Sequence, residues 1–233
     1  MQLPLELKLP VKATLEDFVA SNKSEIKAAF NSLVKAENHS FIFLWSQPGQ
    51  GKTHLLSALC QLAESHNDVI AYLPLKQADE FPVEICEGLE HSNIICIDDI
   101  DVISGNKDWE IALFNLYNRI KDNDHKLIVT AHCSPGSLAI QLPDLKSRLS
   151  WGISLAVPAL DDAQKKMVLQ KKAQASGMVL QSDTADYLLT HHSRSLKDLT
   201  KTLTDLEHAT LVAKRKLTIP FVRDFLQIKS RQS

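Results

Sequence analysis

Between the apolar run Phe41–Trp45 and the helix-patterned stretch His54–Leu62 lies Ser46-Gln-Pro-Gly-Gln-Gly-Lys-Thr53. A buried strand that runs into a glycine-rich turn and then into a helix is the arrangement that cradles phosphate. Its backbone N–H groups point inward, and the helix N-terminus adds the positive end of its dipole. Pro48, Gly49, Gln50, Gly51, Lys52, Thr53 and His54 are therefore candidate nucleotide contacts. Lys52 would reach the β- and γ-phosphates and Thr53 would ligate Mg²⁺. The usual pattern opens on glycine, and here Ser46 stands in that place. Gly49 and Gly51, which let the backbone approach the phosphates, are both present. The chain is read as a holder of a nucleoside di- or triphosphate.

The rest of the chain supports that frame. Further strand-like runs stand at Val69–Leu73, Ile94–Ile97, Leu127–Thr130 and Ile153–Val157. Helix patterns come between them: His54–Ala63, a segment around Glu80–Glu90, Trp109–Ile120, and a segment ending near Arg148. An amphipathic helix precedes the first strand, from about Ser24 to Lys35. Apolar strands alternating with helices imply an α/β fold, with a five-stranded parallel sheet covered on both faces. Trp109, Leu113, Leu116 and Ile120 fall at helical spacing and are read as core.

Beyond Pro158 only helical patterns remain. Asp161 or Asp162 is placed to cap one helix to about Gln174, and Leu196, Leu199, Leu203 and Leu206 mark another. A last helix starts at Thr218-Ile-Pro-Phe221, with proline in its first turn. The expected organisation is a loose tail over 1–12, an α/β nucleotide-binding domain over 13–159 and a small all-α domain over 160–233.

Hydrophobic residues make up 44% and charged residues 23%, enough apolar material for a sizeable core in a soluble chain. Cys60, Cys86, Cys96 and Cys133 show no CxxC pairing, which argues against a disulfide framework or a zinc site. No apolar stretch approaches membrane-spanning length and the N-terminus lacks the pattern of a signal peptide, so a cytoplasmic location is expected. The net charge of −2 gives no case for duplex DNA binding by the whole chain. It conceals an asymmetry: residues 1–160 carry −7 and residues 161–233 carry +5. The basic part is either a surface for an acidic partner or nucleotide phosphates, or a solvated helical face.

Asn93-Ile-Ile-Cys-Ile-Asp98-Asp99 is an apolar strand ending in two carboxylates. Such a pair also occurs in plain turns. Ligands in parallel sheets, however, bind beyond the carboxyl ends of the strands. There Asp98 would hold Mg²⁺ and Asp99 would orient an attacking water.

These pieces resemble an AAA+ ATPase. Gly51-Lys-Thr-His-Leu-Leu56, Ile97-Asp-Asp-Ile100 and Leu145-Lys-Ser-Arg-Leu-Ser-Trp-Gly152 are similar, in that order, to the nucleotide-binding module of the DnaA family over roughly residues 14–228. The start Gln2-Leu-Pro-Leu-Glu-Leu7 and the run at 215–222 are similar to Hda, a family of short DnaA relatives. The resemblance implies ADP or ATP with Mg²⁺ as cofactors. It implies DnaA and the sliding clamp (the β subunit of DNA polymerase III) as partners, DNA contacted mainly through the clamp, no membrane, and a possible homo-oligomer. It also implies a function: regulatory inactivation of DnaA on the loaded clamp, with weak hydrolysis in the chain's own site.

Several residues take roles from the resemblance. Arg148 would project toward the nucleotide of a neighbouring subunit and neutralise charge on the γ-phosphoryl group; from spacing alone it reads rather as half of a local salt bridge. Gln2, Leu3 and Leu5, with Leu7 beside them, would dock in an apolar groove of the clamp. Phe18, Val19 and Asn22 would enclose the adenine; the bland alternative is a hydrophobic staple. His132 stands at the sensor-1 position, or is a plain surface histidine. Lys197, with Arg194 one turn earlier, stands at the sensor-2 position, where lysine lacks the bidentate fork of arginine. An autonomous ATPase and a single-stranded-DNA or helicase-loading module are the alternatives.

Overall fold

The computed structural model describes residues 13–213 and 215–230. Five apolar runs become the strands β1 (Ser40–Trp45), β2 (Ile70–Pro74), β3 (Ile94–Asp98), β4 (Lys126–Ala131) and β5 (Ile153–Ala156). They form one sheet in the order β2-β3-β4-β1-β5, and every neighbouring pair is parallel. All residues of β3 and all but the first of β4 are buried, which explains runs without polar alternation: helices cover both faces. The edge strands β2 and β5 are mostly unburied.

Side chains alternate across the sheet. Phe41, Phe43, Ile95, Ile97, Leu127 and Val129 form one core with α3 (Lys107–Asp122) and α4 (Pro143–Leu149). Trp109, Leu113, Leu116 and Ile120 are buried in it. The Asn106 side chain starts α3 by accepting the Asp108 and Trp109 N–H groups. On the other face lie α1 (Lys23–Lys35), packed on β1, and α2 (Lys52–Glu64), packed on β3 and β4. Cys60 of α2 meets Cys96 of β3 there, with sulfurs 3.9 Å apart. Cys60, Cys86 and Cys96 are buried and Cys133 is half-buried. Truncating a ring such as Phe43, which is fully buried, costs about 3–5 kcal/mol.

The described residues divide into two compact units. The first runs to Phe18 and resumes over Asn22–Ala159; the second takes Val19–Ser21 with Leu160 onward. The second unit contains α5 (Asp162–Ala175), α6 (Ser182–His191), α7 (Leu196–Ala213) and α8 (Ile219–Ser230). Asp161 caps α5 in a reciprocal box with Gln164. Leu169, Leu188, Leu199, Leu203, Leu206 and Val222 meet in this unit's own core.

The strand and helix ends differ from the sequence expectation in small ways. Val69 lies outside β2, its N–H donating to the Asn93 side chain at 2.7 Å. Pro74 closes β2, which an edge strand tolerates. Val157 lies just past β5 yet still donates to the Trp45 carbonyl at 2.8 Å. The helical segment expected around Glu80–Glu90 is instead a chain of short 3₁₀ turns, Leu75–Glu80, Val83–Cys86 and Leu89–His91. Pro82 and the left-handed Gly88 (φ 88°) interrupt any longer helix. The helix α6 has no counterpart in the sequence reading. Among the described residues no helix is long and apolar enough to cross a membrane.

Candidate nucleotide site

Because all strands run the same way, their carboxyl ends share one edge. β1 and β3 flank β4, so a crevice opens beyond β4. The glycine-rich loop leaves β1 on one side of that crevice, and Asp98 and Asp99 end β3 on the other. Gly49 and Gly51 take left-handed φ values of 81° and 91°, where a side chain would be strained. Gly51 is also crowded: a Cβ there would stand 3.1 Å from the Phe18 ring. Among the described residues no side chain caps the start of α2, which leaves its first N–H groups to a ligand.

Lys52 is buried and its Nζ donates to the Ser46 carbonyl at 3.1 Å. Burial pushes its ammonium below the ordinary range, against the pull of Asp99, Asp101 and Asp98. Three hydroxyls converge on Asp98. Thr53 donates to it at 2.8 Å, Tyr72 at 3.0 Å, and Thr130 donates to its other oxygen. Burial and the adjacent carboxylate hold the Tyr72 phenol far above its usual range. Thr130 in turn accepts the Asp99 N–H at 2.9 Å, joining the ends of β3 and β4.

Asp99 has left-handed backbone (φ 59°) and a side chain only 4% exposed. Both its oxygens are engaged: Lys76 contacts Oδ2 at 2.6 Å and His132 contacts Oδ1 at 3.2 Å. Burial works against the charge on Lys76, but the Asp99 carboxylate outweighs it and raises the lysine's pKa. The other ring nitrogen of His132 lies 2.7 Å from Asp101, so His132 bridges two acids and is no plain surface residue.

The residues present fit a nucleoside phosphate with a divalent cation. Thr53 and Asp98 offer hard oxygen donors side by side. His54 packs against Phe18 with ring centres 5.9 Å apart, and its buried Nε2 has no partner among the described residues. Burial lowers the His54 pKa, against a hydrogen bond with the Thr14 backbone and the charge of Asp17, favouring the neutral ring. Phe18 thus lies on the loop, while the Asn22 side chain donates to the Ala156 carbonyl at 2.8 Å.

The remaining expected residues come from other parts of the chain. Val19 belongs to the second unit, as do the exposed Arg194 and Lys197, the latter in the first turn of α7. Gln2, Leu3 and Leu5 lie outside the described residues. Arg148 stands at the opposite end of the sheet. The pairing of Ile42 with Ile153 sets Gly152 beside Phe41. From Phe41 to Trp45, where the phosphate loop begins, β1 extends about 13 Å. Arg148 is half-buried, its Cζ 4.3 Å from the centre of the Trp151 ring and 5.9 Å from that of Tyr117. Among the described residues no carboxylate pairs with it.

Tyr72, Lys76, Asp101 and Thr130 escaped the sequence reading. They come from three stretches, β2 with the turn after it, the turn after β3, and β4, which the order of the strands brings together.

A parallel five-stranded sheet with this loop and acid pair, joined to a helical unit, defines an AAA+ nucleotide-binding protein. The sequence matches the bacterial DnaA ATPase domain over residues 9–156 and the Hda lid domain over residues 162–226. The chain belongs to the family of the bacterial DnaA ATPase domain, as a Hda/DnaA-related protein. Solved structures agree in fold. Domain III of the Thermotoga maritima replication initiation protein DnaA is 18% identical, with a TM-score of 0.80 over 97% of this chain and 98% of that one. The replication initiator DnaA bound to AMPPCP and single-stranded DNA is 22% identical, with a TM-score of 0.69 over 96% and 70%. The Thermotoga maritima RuvB Holliday junction branch migration motor is 18% identical, with a TM-score of 0.71 over 94% and 72%.

Proposed function

We propose that the protein is a nucleotide-bound regulator of replication initiation that supplies Arg148 in trans to ATP held by DnaA. In this reading its own loop holds ADP or ATP through Pro48–His54, with Thr53 and Asp98 on Mg²⁺. Phe18 and Asn22 border the base. Gln2, Leu3 and Leu5 tether the chain to the sliding clamp. When bound, Mg²⁺ offsets phosphate charge; the chain's own side chains supply position and hydrogen bonds.

One observation carries the proposal. Arg148 sits at the far end of the sheet from the chain's own phosphate loop and, among the described residues, has no acid to neutralise it. An arginine spent on a local ion pair would face a carboxylate, and one serving its own nucleotide would stand near Lys52. An arginine offered to another molecule would do neither. Arginine fingers contribute about 10³–10⁵ in rate.

The rival reading, an autonomous ATPase, needs Asp99 free to orient water. Both oxygens of that carboxylate are held, which favours weak hydrolysis in this site.

The test is ATP turnover by DnaA on DNA-loaded clamp, with the wild-type protein and with Arg148→Ala. The expected result is strong stimulation by the first and none by the second, with nucleotide and clamp binding unchanged. Normal stimulation by Arg148→Ala would falsify the mechanism.

A further inference from the structure

Trp151 is 60% exposed, a large ring left in solvent where its burial contributes little to the fold. What it does contact is charge. The Arg148 guanidinium lies 4.3 Å from its ring centre, and the Lys121 ammonium lies 5.4 Å from the same centre. The backbone fixes the partnership, since the Trp151 N–H donates to the Arg148 carbonyl at 3.1 Å, closing the turn that ends α4. Gly152 anchors the next residue. A Cβ there would lie 2.4 Å from the Phe41 ring, which is itself held edge-on by Phe43 and Tyr117.

A cation on an aromatic face is held by the ring quadrupole. Stacking uses the flat face of the guanidinium and leaves the in-plane N–H donors unspent, whereas a carboxylate would consume them. An arginine that must reach phosphoryl oxygens on another molecule gains from being oriented before contact, because less motion is then lost on docking.

We infer that Trp151 is a positioning residue: it orients the Arg148 guanidinium for a phosphoryl group carried by a second protein, with Lys121 adding positive charge beside it. The inference rests on the trans reading above and adds to it a residue that never touches the nucleotide.

The experiment uses the full chain, ATP-loaded DnaA and DNA-loaded clamp, and follows DnaA's ATP turnover against the concentration of this protein. Trp151→Ala should lower the plateau of stimulation about tenfold and leave the half-maximal concentration unchanged. Trp151→Phe should restore most of the plateau, and Trp151→Leu, which keeps bulk without a ring face, should not. Proton NMR of the free protein gives a readout without any nucleotide. The Arg148 side-chain signals should be ring-shifted in the wild type and Trp151→Phe, and should move toward unstacked positions in Trp151→Leu.

A wild-type plateau for Trp151→Leu, with Arg148→Ala inactive, would overturn the role of Trp151 and spare the trans reading. So would a change in half-maximal concentration alone, which would make Trp151 a docking contact. Full stimulation by Arg148→Ala would remove both. Should Trp151→Ala fail to fold, the Phe and Leu variants decide the matter.

Discussion

The two ends of the sheet treat charge in opposite ways. At the carboxyl edge every charged group near the phosphate loop has a partner. Lys52 is turned onto a carbonyl, Asp98 accepts three hydroxyls, and Asp99 is held by Lys76 and His132. At the amino edge Arg148 and Lys121 share one exposed indole and, among the described residues, meet no acid there. The difference has a physical logic. A buried pocket must neutralise its charges internally until a ligand replaces the partners. A cation only partly buried keeps water as its partner and can remain without an ion pair until a surface brings it an anion. One edge pairs its charges internally; the other leaves two cations on an exposed ring.

The contrast breaks most sharply at Arg148. Arg148→Lys keeps the charge but loses the planar fork, and stimulation of DnaA turnover should fall about 10²–10³-fold. ADP binding by the variant, measured by titration calorimetry, should be unchanged; a parallel loss there would show that the two edges are not independent.

Lys52→Ala attacks the other edge. Removing a buried charge-assisted contact should weaken ADP binding about 10- to 100-fold. The NMR signals of Arg148 in the nucleotide-free protein should not move. Undiminished affinity would mean that the loop is not the phosphate site.

Gly152→Ala should cost about 1–3 kcal/mol of stability through overpacking against Phe41. The loss should be visible as a lower midpoint in urea. An unchanged midpoint would show that the amino edge is looser than its ring contacts suggest.

The smallest effect sharpens the comparison from within. Lys76→Met frees one oxygen of Asp99, and the chain's own ATP turnover, without DnaA, should rise about fivefold, the scale of a partly exposed ion pair. Adding Asp99→Asn should abolish the gain. A rate that stays flat in Lys76→Met would show that the clamp on Asp99 does not restrain hydrolysis.

Much of this architecture was legible in advance because central strands buried on both faces need long apolar runs, and β1, β3 and β4 are such runs. The phosphate loop was legible because its chemistry is local: glycines, lysine and threonine must be contiguous. The cluster around the acids was not. Lys76 reaches Asp99 from beyond β2 and Thr130 reaches Asp98 from β4, contacts that depend on strand order, which no spacing records. Around Glu80–Glu90 the expected helix gives way to short turns, because Pro82 and Gly88 set the backbone. The helix α6 went unread although Ala185, Leu188 and Leu189 line one face; polar neighbours dilute so short a pattern.

The four thiols all lie in the sheet-bearing unit, three sealed in its interior and Cys133 half-open to solvent. A thiol reagent should therefore modify one site early and the other three only when this unit unlocks. Nature has installed a stopwatch: the lag between the first label and the rest times the opening of the sheet-bearing unit, while the cysteine-free helical unit stays silent.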